Sequence, residues 1–146
     1  MNQNRISTLA AIVASSLLTG CGFSTLAGDW TGEMDFSQYY GWVELDVTLS
    51  LEDVGDGEFT GHFEADGTAT EYGDSYPVRM EADLELELTD DAGGDQPITS
   101  RWSNCETWAD ADYMEGDCPF AGNWHWDGED ELVYTDDTDW EMILYR

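Results

Sequence analysis

Four acidic side chains between two cysteines are the best candidates for binding a cation. Asp110, Asp112, Glu115 and Asp117 fall within eight residues, and carboxylates are the hard oxygen ligands that calcium prefers. The spacing does not match an EF-hand, because Gly116 is at the seventh position counted from Asp110, where that loop requires glycine at the sixth. We therefore treat these four residues as a candidate calcium site, and the sequence indicates no other cofactor.

Catalytic chemistry finds little support in the sequence. Its two histidines, His62 and His125, fall at polar positions of candidate strands, which is typical of solvated side chains. No nucleophile elbow, phosphate-binding glycine loop or zinc-ligand spacing occurs. We therefore predict that the protein is not an enzyme.

Aromatic side chains near the end of the chain provide the main indication of a binding site. Phe120, Trp124 and Trp126 lie at alternate positions, and Tyr134 and Trp140 fall on the strands that follow. One interpretation is a large aromatic core, because indoles bury much area and small barrels fill their own interior. The other is a barrel mouth for a small apolar or carbohydrate-like ligand, with Trp124, Trp126, Tyr134 and Trp140 as ligand-binding residues.

The charge of the chain is extreme. It carries 33 Asp and Glu residues against four Lys and Arg, a net charge of −29. Such a charge makes binding to nucleic acid implausible, because phosphates are recognised by basic side chains. Two explanations remain open: adaptation of the whole surface to a saline habitat, or the presence of carboxylate cation sites.

The first 21 residues carry a targeting signal. Arg5 precedes an apolar stretch of about 13 residues, too short for the roughly 20 that span a bilayer. The stretch ends in Leu18-Thr19-Gly20-Cys21, which resembles the lipobox of bacterial lipoprotein signal peptides. The resemblance implies cleavage before Cys21, acylation of that cysteine, and a lipid anchor in the cell envelope. Because Gly22 and not aspartate follows Cys21, the family analogy favours the outer membrane.

Export of this kind indicates a disulfide. Secreted proteins fold in an oxidising compartment, and lipidation of Cys21 leaves two thiols, Cys105 and Cys118. We therefore predict a Cys105–Cys118 disulfide. The intervening segment lacks strand alternation and is predicted to be a long loop or a short helix.

Most of the remaining sequence alternates apolar and polar residues with a period of two, which predicts strands with one buried face. The clearest runs are 42–51 and 78–88, and shorter ones cover 29–35, 58–65, 68–72, 98–103, 120–126, 131–135 and 140–146. Asp66-Gly67 and Asp127-Gly128 are pairs typical of tight hairpins. The fold class is therefore all-β: a small antiparallel meander of about eight strands closed into a barrel, with a two-sheet sandwich as the alternative.

A second resemblance concerns this folded part. Gly28-Asp29-Trp30 forms a Gly-x-Trp at its start, and the last strand ends in Arg146. This is similar to the calycin superfamily of lipocalin-like and avidin-like barrels. The resemblance implies that Trp30 lies at the closed end of the barrel and stacks against Arg146 as a structural cation–π pair.

These observations predict three regions and two functions. The regions are a signal peptide at 1–20, a lipidated cysteine with a short tether at 21–28, and one acidic β-domain at 29–146. The first function is that of a non-enzymatic envelope lipoprotein with a structural or partner-binding domain. The second is that of a lipocalin-like lipoprotein with an aromatic-lined ligand pocket. The expected partners are the membrane, through the lipid, and an envelope protein or a small ligand.

Overall fold

The protein is all-β in every part that the computed structural model describes, which comprises residues 25–38, 41–89, 96–110, 112–114, 118 and 120–146. No helix long and apolar enough to cross a membrane occurs within those ranges. The strands are β1 (Gly28–Gln38), β2 (Gly41–Gly55), β3 (Glu58–Glu71), β4 (Asp74–Leu88), β5 (Gln96–Ala109), β6 (Asp112–Met114), β7 (Gly122–Trp126), β8 (Glu131–Asp136) and β9 (Glu141–Tyr145).

Eight of these strands close into an antiparallel barrel. The order around the barrel is β1-β2-β3-β4-β5-β7-β8-β9, and β9 pairs with β1 to complete it. The short β6 pairs only with the far end of β5 and stands outside the ring. The predicted closed meander is therefore confirmed, and the sandwich alternative is excluded.

The alternating sequence decides which side of each strand faces inward. On β2, Val43, Leu45, Val47 and Leu49 are at most 3% exposed, and the residues between them are exposed. Strand β4 behaves in the same way over its second half, where Ala82, Leu84 and Leu86 are buried. The inward residues form one continuous core, because a strand turns successive side chains to opposite faces of the sheet.

One predicted hairpin is wrong. Asp66-Gly67 does not turn the chain but lies within β3, which runs unbroken from Glu58 to Glu71. The glycine has a different function there: a Cβ at Gly67 would lie 2.0 Å from the backbone oxygen of Glu44 on β2. Gly67 is therefore a point of close approach between two strands, which the sequence pair alone does not distinguish from a turn.

The segment between the disulfide cysteines also differs from the prediction. Its described residues are mostly strand, because β5 continues past Cys105 to Ala109 and Asp112–Met114 forms β6, which pairs with β5. The register between β4 and β5 shifts at this point: Asp83 faces Ser103, and two positions earlier Glu81 faces Glu106. Asn104, inside the shift, has a positive φ of 50°. A bulge of this kind breaks the period of two and so conceals a strand from pattern reasoning.

The two ends of the barrel differ, and we name each after its most prominent tryptophan. The Trp30 end contains the start of β1, the β2–β3 turn and the β7–β8 turn; the Trp140 end contains the β3–β4 and β8–β9 turns. At the Trp30 end, Leu26 is fully buried and its carbonyl accepts a 2.9 Å hydrogen bond from the Trp30 indole. Leu26, three residues before the predicted start of the β-domain at position 29, is therefore packed against the barrel.

Carboxylates face each other across the outer surface of the sheet. Register pairs such as Glu33 with Asp46, Asp46 with Asp66, and Glu64 with Glu81 place acids directly opposite one another. Like charges at such positions destabilise a sheet. Arg79 is the one described basic residue at the centre of this surface, where it pairs with Glu81 and lies 3.8 Å from both Glu64 and Asp66.

Because these facing carboxylates repel one another, we expect salt to stabilise the protein strongly. Raising NaCl from about 0.01 M to 1 M shortens the Debye length from roughly 30 to 3 Å, which should raise Tm by at least about 5 °C. Differential scanning calorimetry at neutral pH over this range measures the effect. The isosteric variant Asp46→Asn removes one acid from two facing pairs, and it should raise Tm at low salt and have little effect at 1 M. A Tm that is independent of salt in the wild type would contradict the interpretation.

Candidate functional site

A cavity of about 670 Å³ opens at the Trp140 end of the barrel. Its apolar lining consists of five aromatic side chains and two methionines: Phe36, Trp42, Phe120, Tyr134, Trp140, Met34 and Met80. Its polar lining consists of Asp35, Asp136, Thr138 and Glu141. Two smaller depressions, of about 390 Å³ each, lie among strand residues with several acids. The volume of the first cavity is within the range of small-molecule sites.

The predicted ligand-binding residues separate into two pairs. Tyr134 and Trp140 line the cavity. Trp124 and Trp126 are 2% and 6% exposed and belong to the core. Tyr134 is itself only 1% exposed, so it belongs to the core as well as to the cavity lining, and Trp140 is the one of the four that is partly exposed.

The β8–β9 turn positions Trp140. The Asp136 carboxylate accepts hydrogen bonds from the Thr138 amide at 2.7 Å, the Thr138 hydroxyl at 2.7 Å and the Trp140 amide at 3.0 Å. The Trp140 indole N–H then donates to the backbone oxygen of Asp35, 2.8 Å away on β1. The hydrogen bond from the Thr138 hydroxyl holds the pKa of Asp136 below its usual range, so this carboxylate stays ionised at neutral pH.

Gly122 leaves room for Tyr134. A Cβ at Gly122 would lie 2.7 Å from both the phenol oxygen and the adjoining ring carbon of Tyr134, so the ring packs directly over the glycine. Burial raises the pKa of Tyr134, and the nearby charges of Asp136 and Asp137 raise it further, against a hydrogen bond with the Ala121 backbone that lowers it. Tyr134 is therefore a neutral hydroxyl at physiological pH.

A stack of rings forms the layer next to the cavity. Trp102 lies against Phe120, with ring centroids 4.5 Å apart, and makes edge contact with Phe63 and Tyr134 at 5.3 and 6.5 Å. The sequence analysis did not select Trp102. Trp102 follows Ile98 and Ser100 at alternate positions of β5, and Ile98 is buried. Alternation alone would therefore have placed Trp102 on the inward face.

The Cys105–Cys118 disulfide fixes this layer from the side, and the prediction of that bond is confirmed. Strand β5 pairs with β7 only over Gln96–Ile98, so hydrogen bonds between these two strands stop at Ile98. Beyond that point the disulfide connects β5 to the residues that precede β7. Phe120, two residues after Cys118, is thereby held against Trp102.

Two indole donors in the ring layer have no acceptor. The N–H groups of Trp102 and Trp124 are buried, and no described protein atom accepts a hydrogen bond from either. The two rings are 6.1 Å apart and stacked. Buried polar groups are nearly always paired, so two unpaired donors in one layer are unusual.

At the opposite end, Arg146 holds several segments together. Its guanidinium lies over the Trp30 ring, 4.6 Å from the centroid, and 6.0 Å from that of Trp126. It also donates to the backbone oxygens of Thr25 and Glu129. The two residues that the calycin resemblance pairs are thus in contact, and the arginine closes this end of the barrel.

The candidate calcium ligands lie only partly within the described residues. Asp110, with a positive φ of 60°, and Asp112 are exposed on either side of the β5–β6 turn. Glu115 and Asp117 lie outside the described residues, as does the lipidation candidate Cys21. The calcium site and the lipid anchor therefore stay predictions.

The structure brings together a group that the sequence analysis did not predict. One ligand atom from each of His62, Glu64 and Glu81 lies within 4.8 Å of the others on the outer face of β3 and β4. His62 also lies 3.1 Å from Asp83, whose pKa is lowered by a hydrogen bond from Asn104 and by one with His62. Arg79 already pairs with Glu81, so a divalent cation would have to displace it. Alternation along β3 predicts that His62 and Glu64 share one face, and the β3–β4 register adds Glu81 to them.

Comparisons with protein-family models, curated proteins and solved structures find no match to this chain. The functional inference below is based on the geometry of the chain's own residues.

Proposed function

We propose that this chain is a lipid-anchored, non-enzymatic envelope protein whose calycin-like barrel binds a small organic ligand at the Trp140 end. The observation that carries the proposal is the cavity of about 670 Å³ with its five aromatic side chains. Binding sites for small molecules are concave, mostly apolar, and supplied with a few polar groups that orient the ligand. The cavity has each of these properties.

The arrangement around the cavity supports binding rather than simple packing. Trp140 is held from three directions, by the Asp136-capped turn, by the Asp35 carbonyl and by edge contact with Phe36 at a ring distance of 6.2 Å. A ring fixed in this way loses little conformational entropy when it contacts a ligand.

The anchoring part of the proposal is based on Leu18-Thr19-Gly20-Cys21. Expression of the full chain in a Gram-negative host with labelled palmitate should give a labelled protein in the outer-membrane fraction. The Cys21→Ser variant changes one atom of the side chain and should give unlabelled protein that is absent from the outer-membrane fraction. Equal fractionation of the two proteins would exclude the lipid anchor without affecting the ligand-binding proposal.

Native mass spectrometry tests the ligand-binding part. The mature protein, exported by its native host and purified in moderate salt and mild non-ionic detergent without chelator, should carry an organic mass in addition to the lipidated polypeptide. That mass should be lost from a Trp140→Ala variant that retains the wild-type circular dichroism spectrum. A bare polypeptide at every protein and salt concentration tested would oppose a tightly bound native ligand.

A partner-binding function is the second candidate, and one observation favours it. The exposed aromatics Trp42, Tyr72 and Tyr113 are 44%, 73% and 51% exposed, and the strand register places all three towards the Trp140 end. Exposed apolar side chains that share one end of a domain can serve as a contact surface for a protein. Chemical crosslinking in the native envelope distinguishes the candidates: a discrete crosslinked partner that is lost from Tyr72→Ala, with a bare polypeptide in the mass spectrum, would favour this function.

A further inference from the structure

The ionisable lining of the Trp140-end cavity has only one sign of charge. Its three charged residues, Asp35, Asp136 and Glu141, are all acids; Asp35 and Glu141 alternate with the inward-facing Met34 and Met142, so their exposed carboxylates lie at the rim of the cavity. The chain contains no lysine. An anionic ligand would therefore be repelled, and a cationic one would be attracted before contact by the negative field of the whole domain.

The arginines of the folded domain interact elsewhere. Arg79 pairs with Glu81 on the outer face, Arg101 donates to Glu85 from β5 to β4, and Arg146 lies over Trp30 at the other end of the barrel. The carboxylates of the cavity thus lie apart from the sites at which these arginines are engaged.

Two hydrogen-bond donors of the lining are already engaged. The Thr138 hydroxyl donates to Asp136, and the Trp140 indole donates to the Asp35 carbonyl. The charged groups that the lining offers a ligand are carboxylates, which only accept hydrogen bonds. A carbohydrate presents hydroxyls that both donate and accept, so it is matched less well than a ligand that only donates or carries positive charge.

The aromatic lining of the cavity also favours a cationic ligand. The faces of Trp, Tyr and Phe are electron-rich and attract organic cations, and aromatic cages are the usual recognition device for quaternary ammonium groups. Five such rings and two polarisable methionine side chains surround the cavity. Its volume exceeds what a metal ion would need and is suited to an organic molecule.

We propose that the ligand of this cavity is an organic cation, an alkylammonium or quaternary ammonium compound whose charged nitrogen lies among the aromatic rings and near the carboxylates. This inference depends on the ligand-binding function proposed above and specifies the chemical class of the ligand.

Two pairs of isosteric probes test the inference by isothermal titration calorimetry. Each pair replaces a charged nitrogen with carbon: choline against 3,3-dimethylbutan-1-ol, and benzyltrimethylammonium against neopentylbenzene. The protein is the mature product of the full chain in a mild non-ionic detergent. We expect the cation of at least one pair to bind about ten-fold or more tightly than its neutral isostere, and we expect the preference to shrink between 0.1 and 1 M NaCl.

Two variants with matched controls locate the site. Glu141→Gln should weaken binding of the cation several-fold and leave any binding of the neutral isostere unchanged, and Glu52→Gln, on the outer face of β2, should change neither. Trp42→Leu should weaken cation binding about ten-fold, and Tyr113→Leu, a comparably exposed aromatic outside the lining, should not. All four positions are on the surface or partly exposed, so loss of folding does not explain a change.

The outcomes separate the two proposals. Neutral isosteres that bind as tightly as the cations in both pairs would overturn the cation inference and leave the ligand-binding function standing. Absence of binding by all four probes would overturn the cation inference, and the bound mass in native mass spectrometry then decides the ligand-binding function separately. Cation binding that Glu141→Gln and Trp42→Leu leave unchanged would place it outside this cavity and overturn the inference as well.

Discussion

Removal of the Cys105–Cys118 disulfide is expected to lower the free energy of unfolding by about 3 kcal/mol. The bond closes a loop with a sequence separation of 13 residues, and cross-linking a loop of that size restricts the unfolded chain by about this amount. It also bridges β5 and the residues before β7 where the hydrogen-bonded ladder between those strands has ended. Urea unfolding of the Cys105→Ala/Cys118→Ala variant, followed by tryptophan fluorescence, measures the loss.

The same bond should affect the ring layer beside the cavity. Without it, Phe120 is less firmly held against Trp102, and the near-ultraviolet circular dichroism of the variant should decrease while the far-ultraviolet signal of the barrel persists. A reducing agent should lower the stability of the wild type to that of the variant and leave the variant unchanged. If variant and wild type unfolded at the same urea concentration, packing of the rings alone would be sufficient to hold β5 against β7.

Substitution of Arg146 by alanine is expected to cost about 2–3 kcal/mol, because charge-assisted hydrogen bonds and a cation–π contact are lost together. The guanidinium joins Thr25, the β7–β8 turn and the Trp30 ring. Its loss should loosen three segments at once and expose the indole of Trp30. Thermal unfolding, together with quenching of tryptophan fluorescence by acrylamide, measures both effects.

Two further variants show whether the protein is stabilised by the position of Arg146 or only by its charge. Arg101→Ala removes the same charge from a side chain that is 78% exposed and pairs with Glu85 on the surface, so it should cost less than about 1 kcal/mol. Arg146→Lys keeps the charge but loses the planar fork, so its stability should lie between those of wild type and Arg146→Ala. Equal losses for Arg101→Ala and Arg146→Ala would show that the net charge, and not the closure of the Trp30 end, determines stability.

Much of this fold could be predicted from alternation. The runs 42–51 and 78–88 became β2 and β4, with the apolar side of β2 buried and that of β4 buried or, at Val78, Met80 and Leu88, partly buried. The order of strands around the barrel follows the chain apart from β6. The errors have local causes. Gly67 is a contact between strands although Asp-Gly is common in turns, and the bulge at Asn104 reverses the inward and outward positions of β5, so the end of that strand was not recognised.

The candidate site could be predicted only in part, because a cavity is a property of three-dimensional packing. Tyr134 and Trp140 were selected from their residue types, but nothing in the sequence separates them from Trp124 and Trp126, which alternate in the same way and do not line the cavity. The depth of each ring depends on its height along the barrel. That height is set by the register of β7, β8 and β9, and register is not visible from a single strand.

The burial of Leu26 also fixes how the domain would stand on a membrane. Residues 25–27 are bound to the Trp30 end by the Trp30 indole and by Arg146, so the chain enters the barrel from that end. Only three residues lie between Cys21 and Thr25, so the two are at most about 14 Å apart. With the lipid that we propose for Cys21, the Trp30 end would be held next to the bilayer and the aromatic cavity would open away from it. A ligand would then reach the protein from the aqueous side, and a partner that delivers or receives the ligand would approach without contact with the lipid surface.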